Sequence, residues 1–194
     1  MFRKYDLPNF QKLNWSVNTT ELLNCFADFK NTYDKISDEY GAEYFSNDYT
    51  QMTITEPSNG MKYIKGKEDE RCYNKLKDCY KGTYVEEVLN KFKSPYTRVR
   101  IVVKKPGSYI LPHKDYDSKY SVRFFIPLVT NPWALTGVQR NNEEIEIKNL
   151  KQGTIYFVNV GFSHSAWNFG TTDDIRLIVS VNGQEDLLEF VNGY

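Results

Sequence analysis

Hydrophobic and polar positions along this chain follow two different periods, and the change falls near Pro95. Before it, Leu22, Leu23, Phe26 and Phe29 recur at helical spacing behind Thr19-Thr20-Glu21, a capping start. The same reading predicts helix over Glu68 to Tyr80 and over Val85 to Phe92. Between the first helix and the one from Glu68, Gln51 to Thr55 reads as a short strand that ends in Pro57-Ser58-Asn59-Gly60, a turn. After Pro95 the period shortens. Strands are predicted over Thr97–Lys104, Ser108–Pro112, Tyr120–Val129, Leu135–Gln139, Glu144–Lys148, Thr154–Val158, Ser163–Asn168 and Ile175–Val181. Pro106-Gly107, Asn141-Asn142 and Gln152-Gly153 supply turn residues between them. Many short strands at this spacing point to a sandwich or a jelly-roll barrel.

Length and composition change this picture little. The 194 residues suit a single domain over 1–194, divided into a mixed, partly helical region 1–95, a β core 96–183 and a tail 184–194. Lys+Arg and Asp+Glu both number 25, which leaves no electrostatic footprint for nucleic acid. No run approaches the roughly 18 apolar residues of a membrane span. Met1 to Asp6 lacks the apolar core of a signal peptide, and Cys25, Cys72 and Cys79 lack paired metal spacing. These features predict a cytoplasmic, intracellular protein with reduced thiols, no nucleic-acid partner and no membrane association. Oligomeric state is not readable from them.

The candidate chemistry lies in the β-rich half. The chain's two histidines are both there, His113 in "LPHKDYD" and His164 in "GFSHSAWN". On an extended strand, residues two apart project to one face, so His113 and Asp115 can meet a single ion. Asp117 shares that face if the strand continues, which leaves the carboxylate open between Asp115 and Asp117. Two imidazoles and one carboxylate on one side of an octahedral ion leave positions free, as in non-haem iron(II) oxygenases. A catalytic zinc ordinarily keeps a single open position. Cations come next. If "SAWNFGTTDDI" forms a hairpin centred on Gly170, Arg176 stands opposite His164, with Cβ atoms roughly 5 Å apart. A fixed guanidinium there can grip a carboxylate through two parallel hydrogen bonds, and Arg123 is a second candidate. Local pairing of Arg176 with Asp173 or Asp174 competes with this reading. It is weakened by the apolar run "LIVSV" that follows, where an unpartnered charge is costly.

The stretches "ILPHKDYDSKYSVRFFIPLVTNP" and "GTIYFVNVGFSHSAWNFGTTDDIRLIVSV" resemble the aspartyl/asparaginyl β-hydroxylase family of 2-oxoglutarate-dependent oxygenases. The resemblance covers about residues 97 to 182 and rests on the order of its pieces. These are a His-x-Asp after a Pro-Gly turn, an Arg before "IPL-x-TNP", a "HS-x-x-N" element and a later Arg. It implies a mainly β fold with N-terminal helices and a double-stranded β-helix, cupin-like core. It implies Fe(II) held by His113, Asp115 and His164, with 2-oxoglutarate and O₂ as cosubstrates. It also implies Arg176 on the distal carboxylate of 2-oxoglutarate, Arg123 assisting, and Asn168 in the pocket. Ser108 and Ser180 are further hydroxyl candidates.

Two departures matter. The vertebrate enzymes that name the family lack the carboxylate ligand, so Asp115 places this chain nearer the bacterial members, free-proline hydroxylases included. Phe125 stands where those enzymes carry a histidine after the first Arg. The implied activity is hydroxylation of an amino acid or peptidyl side chain, with 2-oxoglutarate decarboxylated to succinate. Tyr116, Phe125, Trp133 and Trp167 either line the substrate site or pack the core. Two rivals use the same residues differently, a jelly-roll metal-dependent isomerase and a non-enzymatic β-sandwich binding module.

Overall fold

Four of the strands carry near-continuous apolar runs, and such runs need cover on both faces. In the computed structural model, which describes residues 1–26, 49–58 and 69–188, they form the middle of a six-stranded antiparallel sheet. In chain order the strands are β1 (Phe10–Ser16), β2 (Tyr49–Thr53), β3 (Thr55–Glu56), β4 (Lys75–Leu76), β5 (Tyr96–Lys104), β6 (Tyr109–His113), β7 (Val122–Val129), β8 (Ala134–Gln139), β9 (Glu146–Asn149), β10 (Thr154–Val158), β11 (Ser163–Asn168) and β12 (Asp174–Val181). The major sheet has the order β1-β10-β7-β12-β5-β2. A minor sheet has the order β6-β11-β8-β9, and β3 pairs with β4 alone. The described helices are α1 (Thr19–Cys25) and α2 (Tyr84–Leu89). No helix among the described residues is long and apolar enough to cross a membrane.

Alternation on the central strands builds two cores. Phe124, Ile126 and Leu128 of β7, with Leu177 and Val179 of β12, point outward and are covered by Leu22 and Phe26 of the α1 segment and by Val85, Val88 and Leu89 of α2. Their neighbours Phe125 and Ile178 point the other way, with Val102, Tyr156 and Val158. These meet Val138 and Phe162 from the minor-sheet side. The result is a mainly β, jelly-roll sandwich. One end of its interior is apolar and the other carries the chemistry.

Several expectations change. The helix predicted over Glu68 to Tyr80 is absent from its described part, residues 69–80. That part holds 3-10 turns at Glu70–Cys72 and Asp78–Tyr80, with β4 between them. Leu76 pairs with Thr55, and Glu70 is drawn into the interior, so tertiary contacts override the helical spacing. The predicted strand over Gln51 to Thr55 splits into β2 and β3 at Ile54. Strand β1 was not predicted. A register shift between Lys12 and Ser16 breaks its alternation, and Phe10 and Leu13 fall at a spacing that does not read as strand. The cap of α1 is Asn18, whose side chain accepts from Glu21 N at 3.3 Å. Phe29 lies outside the described residues.

The hairpin centred on Gly170 does not form. β11 pairs with β6 and β8 in the minor sheet, whereas β12 pairs with β5 and β7 in the major sheet. The chain crosses between sheets over 169–173, and His164 and Arg176 are not cross-strand partners. Asn168 anchors that crossing. Its amide donates to Lys104 O at 2.8 Å and to Thr172 O at 2.9 Å, and its oxygen accepts from Asn131 Nδ2 and Gly170 N.

Candidate metal centre and cosubstrate pocket

His113 and His164 face each other in register across β6 and β11, their rings 4.2 Å apart between centroids. Asp115 lies just past the end of β6, where its backbone N–H donates to Val160 O at 3.0 Å. This fastens the carboxylate beside the strand that carries His164. One ligand atom from each of His113, Asp115 and His164 lies within 4.8 Å of the others. His164 Nε2 and Asp115 Oδ2 are 3.5 Å apart. Asp117 takes no part in this cluster. Its carboxylate accepts from Lys119 N at 3.1 Å and closes a local turn.

The imidazoles are oriented from behind. His113 Nδ1 lies 2.8 Å from Leu111 O, and His164 Nδ1 lies 3.2 Å from Phe162 O. A carbonyl can only accept, so each Nδ1 carries the proton and each Nε2 lone pair is left for an ion. Burial and the neighbouring His164 lower the His113 pKa, which favours the neutral ring that a metal requires. Burial opposes ionisation of Asp115. The Arg123 guanidinium beside it outweighs this and holds the carboxyl well below its ordinary range. Two imidazoles turned by their Nδ1–H groups and one ionised carboxylate form a donor set that fits a divalent transition metal.

Arg123, on the inward face of β7, donates from Nη1 to Asp115. Its Nη2 meets both oxygens of Glu70, at 2.8 and 3.0 Å. Glu70 was not among the expected site residues, because its segment read as an ordinary helix. It is buried, with Arg98 Nη1 at 3.3 Å and Arg100 Nη1 at 3.8 Å as well. Next to it, Asp69 accepts from the Tyr120 hydroxyl. Tyr120 stacks against Tyr116 at 4.3 Å and carries Arg71 over its ring at 4.4 Å.

Arg176 reaches the interior from the opposite direction. Its Nη1 donates to Thr136 Oγ1 on β8 at 2.5 Å, so it spans the gap between the sheets. Thr136 stands two residues along β8 from Val138, the cross-strand partner of His164. Pairing with Asp174, discounted from the sequence, does occur. Nε donates to Oδ1 at 3.1 Å and Nη2 lies 2.9 Å from Oδ2. The same Oδ2 is 2.5 Å from Lys104 Nζ. Lys104, Asp174 and Arg176 are all about 1% exposed or less. Their signal in the sequence was parity: Lys104 shares a face with Val102, and Asp174 shares one with Arg176.

The other expected residues fall in different places. The Asn168 amide is engaged in the crossing between the sheets. Ser108 and Ser180 are buried, and Ser180 pairs in register with Arg123. Phe125 packs in the inter-sheet core. Trp133 is largely exposed, and Trp167 stacks with Phe169 at 6.4 Å, so neither is core. Tyr116, next along the chain from Asp115, is 37% exposed and packs on Tyr120.

A family model described as aspartyl/asparaginyl beta-hydroxylase matches residues 18–183. The chain belongs to this family. It is a hydroxylase by that family, and the match extends far into the N-terminal region that carries Glu70. Solved structures share the fold at low identity. A non-heme alpha-ketoglutarate-dependent carbocyclase, SnoK from nogalamycin biosynthesis, aligns with TM-score 0.56 at 12% identity, over 92% of this chain and 85% of its own. AviO1 from Streptomyces viridochromogenes aligns at 0.53 and 11%, over 94% and 93%. A 2OG-Fe(II) oxygenase family oxidoreductase from Burkholderia pseudomallei aligns at 0.51 and 13%, over 81% and 78%. Iron and 2-oxoglutarate are named for the Burkholderia pseudomallei protein, and in this chain His113, Asp115 and His164 are a candidate metal site.

Proposed function

We propose that this chain is an Fe(II)- and 2-oxoglutarate-dependent dioxygenase. It hydroxylates an amino acid or a peptidyl side chain while 2-oxoglutarate is decarboxylated to succinate. The observation that carries the reading is the convergence of one ligand atom each from His113, His164 and Asp115, with a buried cation cluster in the same inter-sheet space.

In this reading His113, Asp115 and His164 hold the iron, which when bound supplies activation of O₂. The protein's own groups do the rest. The Nδ1–H groups of both histidines fix the ring orientation, and Arg123 steadies Asp115. Arg176 binds the distal carboxylate of 2-oxoglutarate. Arg123 is assigned to the cosubstrate side as well, since its Nε–H has no hydrogen-bond partner among the described residues. Tyr116 and Tyr120, with Arg71 on the outer ring face, are assigned to the substrate side. Asn168 acts from behind the pocket, through the Lys104 carbonyl it holds.

Anaerobic addition of Fe(II) and 2-oxoglutarate is expected to give the weak visible charge-transfer band of the chelate, and His164→Ala to abolish it. A protein with no band, or a band that survives that change, would not be an oxygenase of this kind. A screen of free amino acids and peptides for succinate release coupled to a hydroxylated product then identifies the substrate.

A further inference from the structure

The inward face of β5 carries Lys104 at its end, in register with Asp174 of β12, while Val102 is in register with Arg176. Lys104 and Arg176 are therefore diagonal neighbours across one strand pair, within reach of long side chains. They share a single carboxylate. Asp174 Oδ2 is 2.5 Å from Lys104 Nζ and 2.9 Å from Arg176 Nη2. Two cations and one anion sealed from water leave one positive charge over, and an isolated buried charge is strongly disfavoured.

The hydrogen-bond geometry carries the same message. Arg176 Nε and Nη1 are well directed, at Asp174 Oδ1 and Thr136 Oγ1. Lys104 Nζ and Arg176 Nη2 share one oxygen, Asp174 Oδ2, and no further acceptor for either is found among the described residues. We propose that Lys104 is a second cation for the distal carboxylate of 2-oxoglutarate, held beside Arg176 by the Asp174 carboxylate between them. This rests on the cosubstrate reading above and adds a residue to it.

Position selects the distal end. Thr136, which Arg176 touches, is two residues along β8 from the partner of His164, roughly 6.8 Å of strand. A five-carbon dicarboxylate that chelates the metal at one end is long enough to bring its other carboxylate there. A two-carbon dianion is not. The burial that lowers the Lys104 pKa to about 8, reinforced by Arg176, is relieved when a carboxylate arrives.

The test uses the full-length Fe(II)-loaded protein under nitrogen, titrated with 2-oxoglutarate and separately with oxalate, which binds metal without reaching Thr136. Lys104→Met leaves Arg176 and Asp174 as a matched pair and keeps the volume, so the fold is expected to hold, with Tm checked alongside. Its Kd for 2-oxoglutarate is expected to rise about tenfold or more, with the Kd for oxalate unchanged. Lys104→Arg is expected to recover most of the loss. A 2-oxoglutarate Kd within twofold of the parent protein in Lys104→Met would overturn the proposal. So would an equal loss for oxalate, which would point to general damage at the metal. Parent protein that takes up iron and oxalate but no 2-oxoglutarate would refute the cosubstrate reading itself.

Discussion

Glu70 shows how one side chain can connect the N-terminal region to the metal centre. It sits on a 3-10 turn, is buried, and faces Arg98, Arg100 and Arg123. Arg123 in turn holds Asp115, so Glu70 acts on the ligand set through one guanidinium. Burial raises the Glu70 pKa, but Arg123, Arg100 and Arg98 together more than reverse this and hold it below the ordinary value. Removing one partner of a buried ion cluster is costly because it strands the opposite charge, on the order of 3–5 kcal/mol. Glu70→Ala is expected to lose that much stability at pH 7 in a urea titration. The pH dependence has a definite sign. With its folded pKa below the unfolded value near 4.3, Glu70 contributes stability above that value and loses it as pH falls further. The gap between parent protein and Glu70→Ala should therefore narrow in acid. A gap that stays constant down to acid pH would mean that the Glu70 charge does not stabilise the fold.

At the scale of elements, the crossing from β11 to β12 moves the chain between sheets, and Asn168 holds it. Gly170 packs so closely on Asn131 that a Cβ there has no room. Asn168→Ala removes four hydrogen bonds and strands buried carbonyls, each worth about 1–3 kcal/mol. The expected outcome is a Tm lower by roughly 4 °C or more, with iron uptake retained. A variant as stable as the parent but unable to bind 2-oxoglutarate would instead make Asn168 a direct pocket contact. The same crossing marks the limit of what was legible in the sequence. The alternation in "TIYFV" and "SHSAWN" located β10 and β11 residue for residue, and it put His164 on a face shared with Ala166 and Asn168. It could not say which sheet received β12, because the symmetry of positions 164 and 176 about Gly170 suits a hairpin and a sheet change equally. Glu70 was hidden for a related reason. Helical spacing over 68–80 described the chain's local preference, while burial among three arginines decided its structure. Lys104 and Asp174 looked like ordinary charges at strand ends, and only the pairing of β5 with β12 joins them.

At the scale of the whole molecule, the candidate site sits where the two sheets are fastened by polar groups. His113 and His164 come from the minor sheet, and Arg123, Arg176 and Lys104 come from the major sheet. Asp115 lies on the connection between them. Elsewhere the sheets meet through apolar side chains such as Phe125, Ile178 and Phe162. A metal alone would engage the minor sheet and Asp115. 2-Oxoglutarate alone would engage the cations of the major sheet without an ion to chelate. Together they would bridge the sandwich. Each ligand that binds only the folded state stabilises by mass action, about 2.7 kcal/mol at a hundredfold excess over its Kd. For a domain of this size that is a Tm rise of roughly 5–10 °C. Thermal unfolding under nitrogen is therefore expected to show a modest rise with Fe(II), little change with 2-oxoglutarate alone, and a rise greater than the sum when both are present. Strictly additive shifts would mean two independent sites rather than one that spans the sheets. A 2-oxoglutarate effect that needs no metal would place its binding away from His113, Asp115 and His164.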